Sequence, residues 1–481
     1  MKRLSLAACV LFAAACTDAT QSVAPQHEPG ALQPILLAPS VKVDPVLTGL
    51  LALASPLQRL EVIVTHDSLT SNASVLSAVR ATGAGVIRFK HLPMVAALAT
   101  PAQIVRISSL RGVVSVYSNK QLTWLMRESR ASINADAAHA AGYTGKGVGI
   151  AILDSGIDGL YNQDLRHPTR TVRNVKIITS MRELFTFGTE IPSVAGELFL
   201  DNVPSSETSV GHGTHVAGTA AGDGTHSGGL NRGVAPGANL IGIGTGDVLF
   251  VLFALAGIDF ILDNAERYNI QVVNNSWGSG GEFVPEDPTN VATKELYKKG
   301  IAVVFAAGNE GPGENTLTSY SAAPWVISVA AGCKTVSPDP TNSAASCADG
   351  RQSILADFSS RGVPGSAIYH PDIVAPGVNI VSTRAATGTV MNALDAPSDI
   401  QDCNISVDKL PYYTCSSGTS MAAPHVTGVI ALMEEAAGGQ LTPDQAYQAI
   451  VATARPMPGY AEWEAGAGYL DAYAAVLAVK R

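Results

Sequence analysis

Charge is scarce in this chain. Of 481 residues only 15% are Asp, Glu, Lys or Arg, and the formal net charge is −9. A nucleic-acid surface needs clustered Lys and Arg, so the composition excludes that class of partner. Long apolar runs are missing as well. Leu4 to Ala15 and Val248 to Leu262 both fall short of the roughly 20 residues that a transmembrane helix requires. Gly257 and Asp259 interrupt the second run, which reads as a core helix laid on a sheet. Cysteine is limited to six residues, and no internal repeat is evident. What the chain does have is 46% hydrophobic residues and 46 glycines, which suits a large α/β core and leaves room for two folded units.

Chemistry concentrates in four short motifs. Ser420 lies in Gly418-Thr419-Ser420-Met421-Ala422-Ala423-Pro424-His425, at the start of an apolar helical stretch through Val426, Val429, Ile430 and Leu432. Backbone N–H groups at a helix start have no intrahelical partners, and small neighbours let a substrate backbone approach. The plain alternative is a Ser N-cap on a buried helix. A serine nucleophile needs a base, and the base needs an orienting group. Gly147 to Leu153 reads as a buried strand ending in Asp154-Ser155-Gly156, where catalytic groups of open α/β sheets collect. Asp154 alone could simply begin a turn. Gly211-His212-Gly213-Thr214-His215 opens another small-residue helix. Asp154, His212 and His215 could also be ligands of a metal-dependent hydrolase, but no zincin-type Glu accompanies the pair of histidines. Ile301 to Ala307 is a buried strand running into Gly308-Asn309-Glu310-Gly311. A side-chain amide there can donate to a developing oxyanion, although an isolated Asn in such a place is often a left-handed turn residue.

In the order Asp154, His212, Asn309, Ser420, these motifs resemble those of the subtilisin-type serine proteases, over roughly residues 130 to 476. The resemblance implies a subtilisin-like parallel sheet with helices on both faces and a serine endopeptidase that acts on proteins or peptides. It makes Ser420 the nucleophile, His212 the base and Asp154 its orienting group, with Asn309 and the Ser420 N–H holding the oxyanion. It also implies that Ser276, Trp277 and Gly278 pair with the substrate backbone and form one pocket wall. Ala306, Ala307 and Gly308 would form the other wall, with Ser319 and Tyr320 near the floor. No cofactor is required for the chemistry. The family's calcium loop is not recognisable in 222–230, so no residue is assigned to a structural calcium or to any other metal. Residues 181–210 are extra relative to a minimal member. An inactive, lipid-anchored pseudoprotease serving as a binding module is the rival class, and it predicts a damaged triad where this one is intact.

The N-terminal region reads differently. Lys2-Arg3, the apolar run and Ala13-Ala14-Ala15-Cys16 form a signal peptide over 1–15. Cys16 is a candidate lipidation site, with plain secretory cleavage after Ala15 as the competitor. An anchor at Cys16 would be the chain's one link to a membrane. Lipidation would also remove the odd thiol beside Cys333, Cys347, Cys403 and Cys415. In an exported chain these form two close pairs, and Cys333–Cys347 with Cys403–Cys415 is preferred among three connectivities. Residues 16–57 read as a tether.

Over 58–122 the pattern is strand, helix, two strands, helix, strand, the order of a ferredoxin-like fold. It resembles the inhibitory prodomain of subtilases, with a small accessory domain as the alternative. Cleavage would fall between Asn119 and Arg130, ahead of a catalytic domain over 127–481. A monomer is the default expectation.

Overall fold

Apolar residues at every second position build the sheet of the first folded unit. The computed structural model describes residues 45–66, 72–88, 94–118, 127–177, 199–247, 249, 251–285, 287–334, 355–439 and 441–481, which divide into a small and a large unit. In the small unit, β1 (Leu60–His66), β2 (Gly85–Arg88), β3 (Met94–Ala99) and β4 (Val113–Ser118) form an antiparallel sheet of order β2-β3-β1-β4. Val62 and Val64, Val95 and Ala97, and Val116 turn to one face. The Asn72–Ala81 helix covers that face with Val75 and Val79, and the Pro101–Ser108 helix with Ile104 and Ile107. The second helix starts on Pro101, and Gln103 Oε1 accepts the Thr100 N–H at 2.8 Å. The βαββαβ order is thus present. One further element lies inside the stretch read as a tether: a helix over Pro45–Leu53, with Leu47 buried and Leu51 packed on the same core. A short apolar run without cap or periodic signal gives little warning of such a helix.

The large unit is built on an eight-stranded sheet of order β12-β11-β10-β9-β5-β8-β6-β7. Its strands are β5 (Gly149–Asp154), β6 (Thr171–Ile177), β7 (Phe199–Leu200), β8 (Asn239–Gly244), β9 (Ile270–Asn275), β10 (Ala302–Ala306), β11 (Ile327–Gly332) and β12 (Ile373–Pro376). All neighbours pair in parallel except β6 with the short edge strand β7. Strand β5 shows why its sequence is continuously apolar. Ile150 and Ile152 enter one core layer with the His212–Ala221 and Thr419–Ala437 helices. Ala151 and Leu153 enter the other layer, with residues of the Val251–Asn264 helix. Both faces are covered, as a parallel sheet requires.

Close approach dictates composition in the first layer. A Cβ on Gly428 of the Thr419–Ala437 helix would lie 2.6 Å from Val234 Cβ and 2.9 Å from the Ala220 carbonyl. After the main sheet, β13 (Ile380–Thr383) and β14 (Tyr413–Ser416) form an antiparallel hairpin. Its connection carries a helix, Thr389–Gln401, and a disulfide joins Cys403 to Cys415. Cys333 is buried, whereas Cys347 and Cys16 lie outside the described residues.

Candidate active site

Asp154 is the last residue of β5, at the centre of the sheet and on its carboxyl edge. Its Oδ1 accepts the Ser155 N–H at 2.7 Å and faces His212 Nδ1 at 2.7 Å. The carboxylate is buried, while the imidazole keeps about a fifth of its surface exposed (22%). Burial is the largest single influence and would lower the pKa of His212, but the charge and hydrogen bond of Asp154, with the charges of Glu207 and Asp395, together outweigh it, and the pKa is raised.

His212 is the first residue of its helix, and the N-cap, Gly211, is left-handed at φ 84° and offers no side chain. Tertiary neighbours cap the helix instead. Ser155 Oγ accepts the Gly213 N–H at 2.8 Å, and Glu207 Oε2 accepts the Thr214 N–H at 3.0 Å and the Thr214 hydroxyl at 2.7 Å. Burial pushes the Glu207 carboxyl upward, and hydrogen bonds from Thr214, Ser155 and Thr208 oppose the shift. Gly213 lies so close to the Asp154 turn that a Cβ there would meet the Gly156 carbonyl at 2.3 Å. The small residues of the two motifs are therefore one packing requirement. His215 sits one turn on, fully buried, with Nε2 2.9 Å from the Ile380 carbonyl, and burial lowers its pKa to about 3. It faces β13 and does not join Asp154 and His212. Among the described residues no group of three or more His, Cys, Asp or Glu side chains could hold a metal ion.

Ser420 is the second residue of the Thr419–Ala437 helix. Its hydroxyl donates to the Ser276 carbonyl at 3.1 Å, and the Ser276 hydroxyl donates to the Ser420 carbonyl at 2.8 Å. Ser276 Oγ also accepts from Asn274 Nδ2 at 2.9 Å, and Asn274 Oδ1 accepts from the Thr427 hydroxyl at 2.9 Å. The end of β9 is thereby tied to the serine helix at two points about two turns apart.

Asn309 follows β10 and is oriented from behind. Its Oδ1 accepts both the N–H and the hydroxyl of Thr419, each at 2.9 Å. That fixes the amide plane and turns Nδ2 toward the serine turn, 3.6 Å from where a Cβ on Gly418 would stand.

The expected pocket walls converge on a residue the sequence reading passed over. A Cβ on Gly278 would lie 2.6 Å from Thr318 Cγ2, and one on Gly308 would lie 3.0 Å from the same atom. Gly308 also has φ +118°, a conformation that favours glycine. Ala306 and Ala307 are buried beside it, and the Thr318 N–H donates to the Ala307 carbonyl at 2.9 Å. Trp277 donates Nε1–H to the Leu153 carbonyl at 2.9 Å and packs edge-on against Phe305 and Tyr320. Tyr320 belongs to the same aromatic core, so the bulk expected at the floor lies inside the second layer. The Ser319 N–H is taken up by the Ser279 carbonyl at 2.9 Å. Glu207, Thr419, Asn274 and Thr427 also went unread, since each is an ordinary polar residue in sequence.

Comparison with known proteins follows this geometry. Residues 145–469 match the Subtilase family. The chain is 32% identical over 377 residues to the serine protease AprX of Bacillus subtilis, covering 74% of this chain and 73% of that protein. It is 30% identical over 309 residues to subtilisin Savinase of Lederbergia lenta, covering 63% and 82%. Among solved structures it resembles Sphericase, with TM-score 0.52 and 25% identity over 73% of this chain and 99% of that one. With a family match across most of its length and a subtilisin-like fold, the chain belongs to the Subtilase family and is a serine endopeptidase.

Proposed function

We propose that this protease is made as an exported zymogen and hydrolyses peptide bonds through an acyl-enzyme on Ser420. The hydroxyl turns from the Ser276 carbonyl to His212 Nε2, gives up its proton there and attacks the scissile carbonyl. His212 then protonates the leaving amine, and in the second half it activates water to release the acyl group. Asp154 holds the imidazole with Nδ1 protonated and stabilises the imidazolium. Asn309 Nδ2 and the Ser420 N–H, free at a helix start, receive the oxyanion. Gly278 and Ala306 to Gly308 border the acyl-side pocket. Subtilases need no cofactor for catalysis.

The observation that carries this reading is the 2.7 Å contact of Asp154 with His212 Nδ1. It leaves Nε2 as the working nitrogen. A fluorophosphonate probe should label the matured wild type and fail to label Ser420→Ala, with chelators having no effect. Absence of labelling in matured wild type overturns the reading.

The small βαββαβ unit is proposed to be an inhibitory prodomain, supported by its topology and its position directly before the catalytic unit. Export is supported by the signal-like first 15 residues and by the Cys403–Cys415 disulfide, which belongs to an oxidising compartment. Lipidation at Cys16 is part of the same proposal. N-terminal sequencing of exported wild type and Ser420→Ala is the test for maturation. Loss of residues up to the 119–130 segment in wild type alone establishes self-processing, and identical N-termini in the two proteins exclude it.

A further inference from the structure

The connection between β13 and β14 reaches the catalytic histidine. At the start of the Thr389–Gln401 helix, the Val390 N–H donates to the Ser209 carbonyl at 2.9 Å and the Met391 N–H to the Val210 carbonyl at 3.2 Å. Gly388 and Gly211 touch backbone to backbone, since a Cβ on Gly388 would stand 2.7 Å from Gly211 Cα. The inserted helix is thus bonded to Ser209 and Val210 and packed on Gly211, the three residues that lead into His212. At its other end, β14 runs through Ser417 and Gly418 into the serine turn.

This helix shows solvent the wrong chemistry for a surface helix. Val390, Leu394 and Ile400 are 48%, 52% and 59% exposed on successive turns, with Pro397 between them. A helix packed on one side puts polar residues outward, so an apolar outer face asks for an occupant. Leu160 and Tyr161, 47% and 60% exposed, stand on a turn tied to the start of the same connection. Their turn is held by Asp158 Oδ1 at 3.2 and 2.9 Å, and Asp158 Oδ2 accepts the Ala386 N–H at 2.9 Å. Asn162 Nδ2 binds the Arg384 and Tyr412 carbonyls at 3.1 and 2.9 Å.

The wall is also fixed. Buried Asp399 accepts the Thr414 hydroxyl at 2.9 Å and the Cys415 N–H at 2.7 Å, and pairs with Arg384 at 3.2 Å. The Cys403–Cys415 disulfide closes the same corner. A preorganised apolar surface loses little freedom when it binds.

We propose that the Thr389–Gln401 helix, with Leu160 and Tyr161, is a binding wall for the leaving-group side of the peptide substrate and selects apolar side chains there. The inference rests on the acyl-transfer reading of Ser420 and His212. In that reaction His212 protonates the leaving amine, so the peptide beyond that amine runs out past His212. The chain there is Ser209 to Gly211 and the helix bonded to it. The acyl side is bordered elsewhere, by Gly278, Gly308 and Thr318 at the ends of β9 and β10.

The test uses the matured protein and two kinds of substrate. Peptide nitroanilides carry no residue beyond the scissile bond. Internally quenched peptides share one acyl side and vary the next two residues among Leu, Ser, Asp and Lys. Wild type should favour Leu over Asp by about tenfold or more in kcat/KM, the scale at which an apolar pocket discriminates. The double variant V390S/L394S should lose most of that preference and keep its nitroanilide activity within about twofold. Tyr161→Ser, on a separate element, should lose part of it and guards against a folding artefact in the helix. Equal preference in variants and wild type overturns the proposal. So does an apolar face whose substitution alters only self-association or vesicle binding, which would assign it to a second copy or a lipid surface. A wild type inactive on nitroanilides would instead overturn the acyl-transfer reading beneath it.

Discussion

At the scale of single residues, Asn309 allows the sharpest separation of roles. Its Oδ1 is spent on Thr419, and its Nδ2 is what remains for an oxyanion. Asn309→Leu removes both functions and should lower kcat by about 10²–10³ with little change in KM. Asn309→Asp keeps the acceptor that anchors Thr419 but sets a carboxylate where negative charge develops. Its loss in kcat should be at least as large, measured on a nitroanilide. Wild-type kcat in Asn309→Asp would remove Asn309 from the reaction. Asp154, His212, Asn309 and Ser420 were legible because each chemistry-bearing side chain sits among small residues in an unbroken motif. The anchoring roles of Thr419, which lies inside the serine motif, and of Thr427 were not, because their partners are 110 and 153 residues away. The side chains of Trp277 and Tyr320 take a place that the motif does not announce, for a related reason. Neighbours of a motif share its strand end, but large aromatic rings go to the core that can bury them.

At the scale of elements, the helix that begins with His212 depends on caps it does not carry. Glu207 comes from the end of the extra 181–210 segment, so the insertion supplies the helix with an acceptor. It also supplies charge, since the Glu207 carboxylate helps raise the pKa of His212. In the proposed reaction neutral His212 is the base, so kcat/KM should fall on the acid side as the imidazole is protonated, with a midpoint above that of an ordinary histidine. Glu207→Gln keeps the shape and removes the charge. The acid limb of kcat/KM should therefore move to lower pH, and a limb that stays put or moves up contradicts the coupling. Elements of this kind differ in legibility. Strands of the large sheet and the small βαββαβ unit announce themselves by alternation or by continuous apolar runs. The Thr389–Gln401 helix does not, because Pro397 lies inside it and its stability comes from Asp399, Arg384 and the disulfide.

At the scale of the whole molecule, the large unit folds around ionisable groups held without charge, and their effects on stability have opposite signs. Burial pushes Asp395 up to about 7 and Glu434 up to about 7, and it lowers His215 to about 3 and His425 to about 4. A carboxyl whose folded pKa lies above its unfolded value keeps a proton that the unfolded chain releases. Stability then falls as pH rises from about 4 to about 7 and is level beyond. The buried histidines act the other way, because below about 6.5 the unfolded chain takes up protons that the folded one refuses. From about 4 to about 6.5 the two trends oppose each other. Asp395 can be isolated from this balance. Burial raises its carboxyl against an opposing hydrogen bond from Ser416, and it faces the like charge of Asp399 as well as His212 and Arg384. Asp395→Asn, made in Ser420→Ala to stop self-digestion, removes a charge that the fold accommodates poorly. At pH 4 the variant and its parent should unfold at nearly the same denaturant concentration, since Asp395 is then protonated in the fold. At pH 8 the variant should be the more stable by a few kcal/mol, the linkage value of a shift this size. An equal gain at both pH values would mean that Asp395 acts through packing and not through its charge. The carboxylate that costs stability at pH 8 also helps raise the pKa of His212. Asp395→Asn in the active protein should accordingly move the acid limb of kcat/KM in the same direction as Glu207→Gln, because both remove negative charge felt by one imidazole.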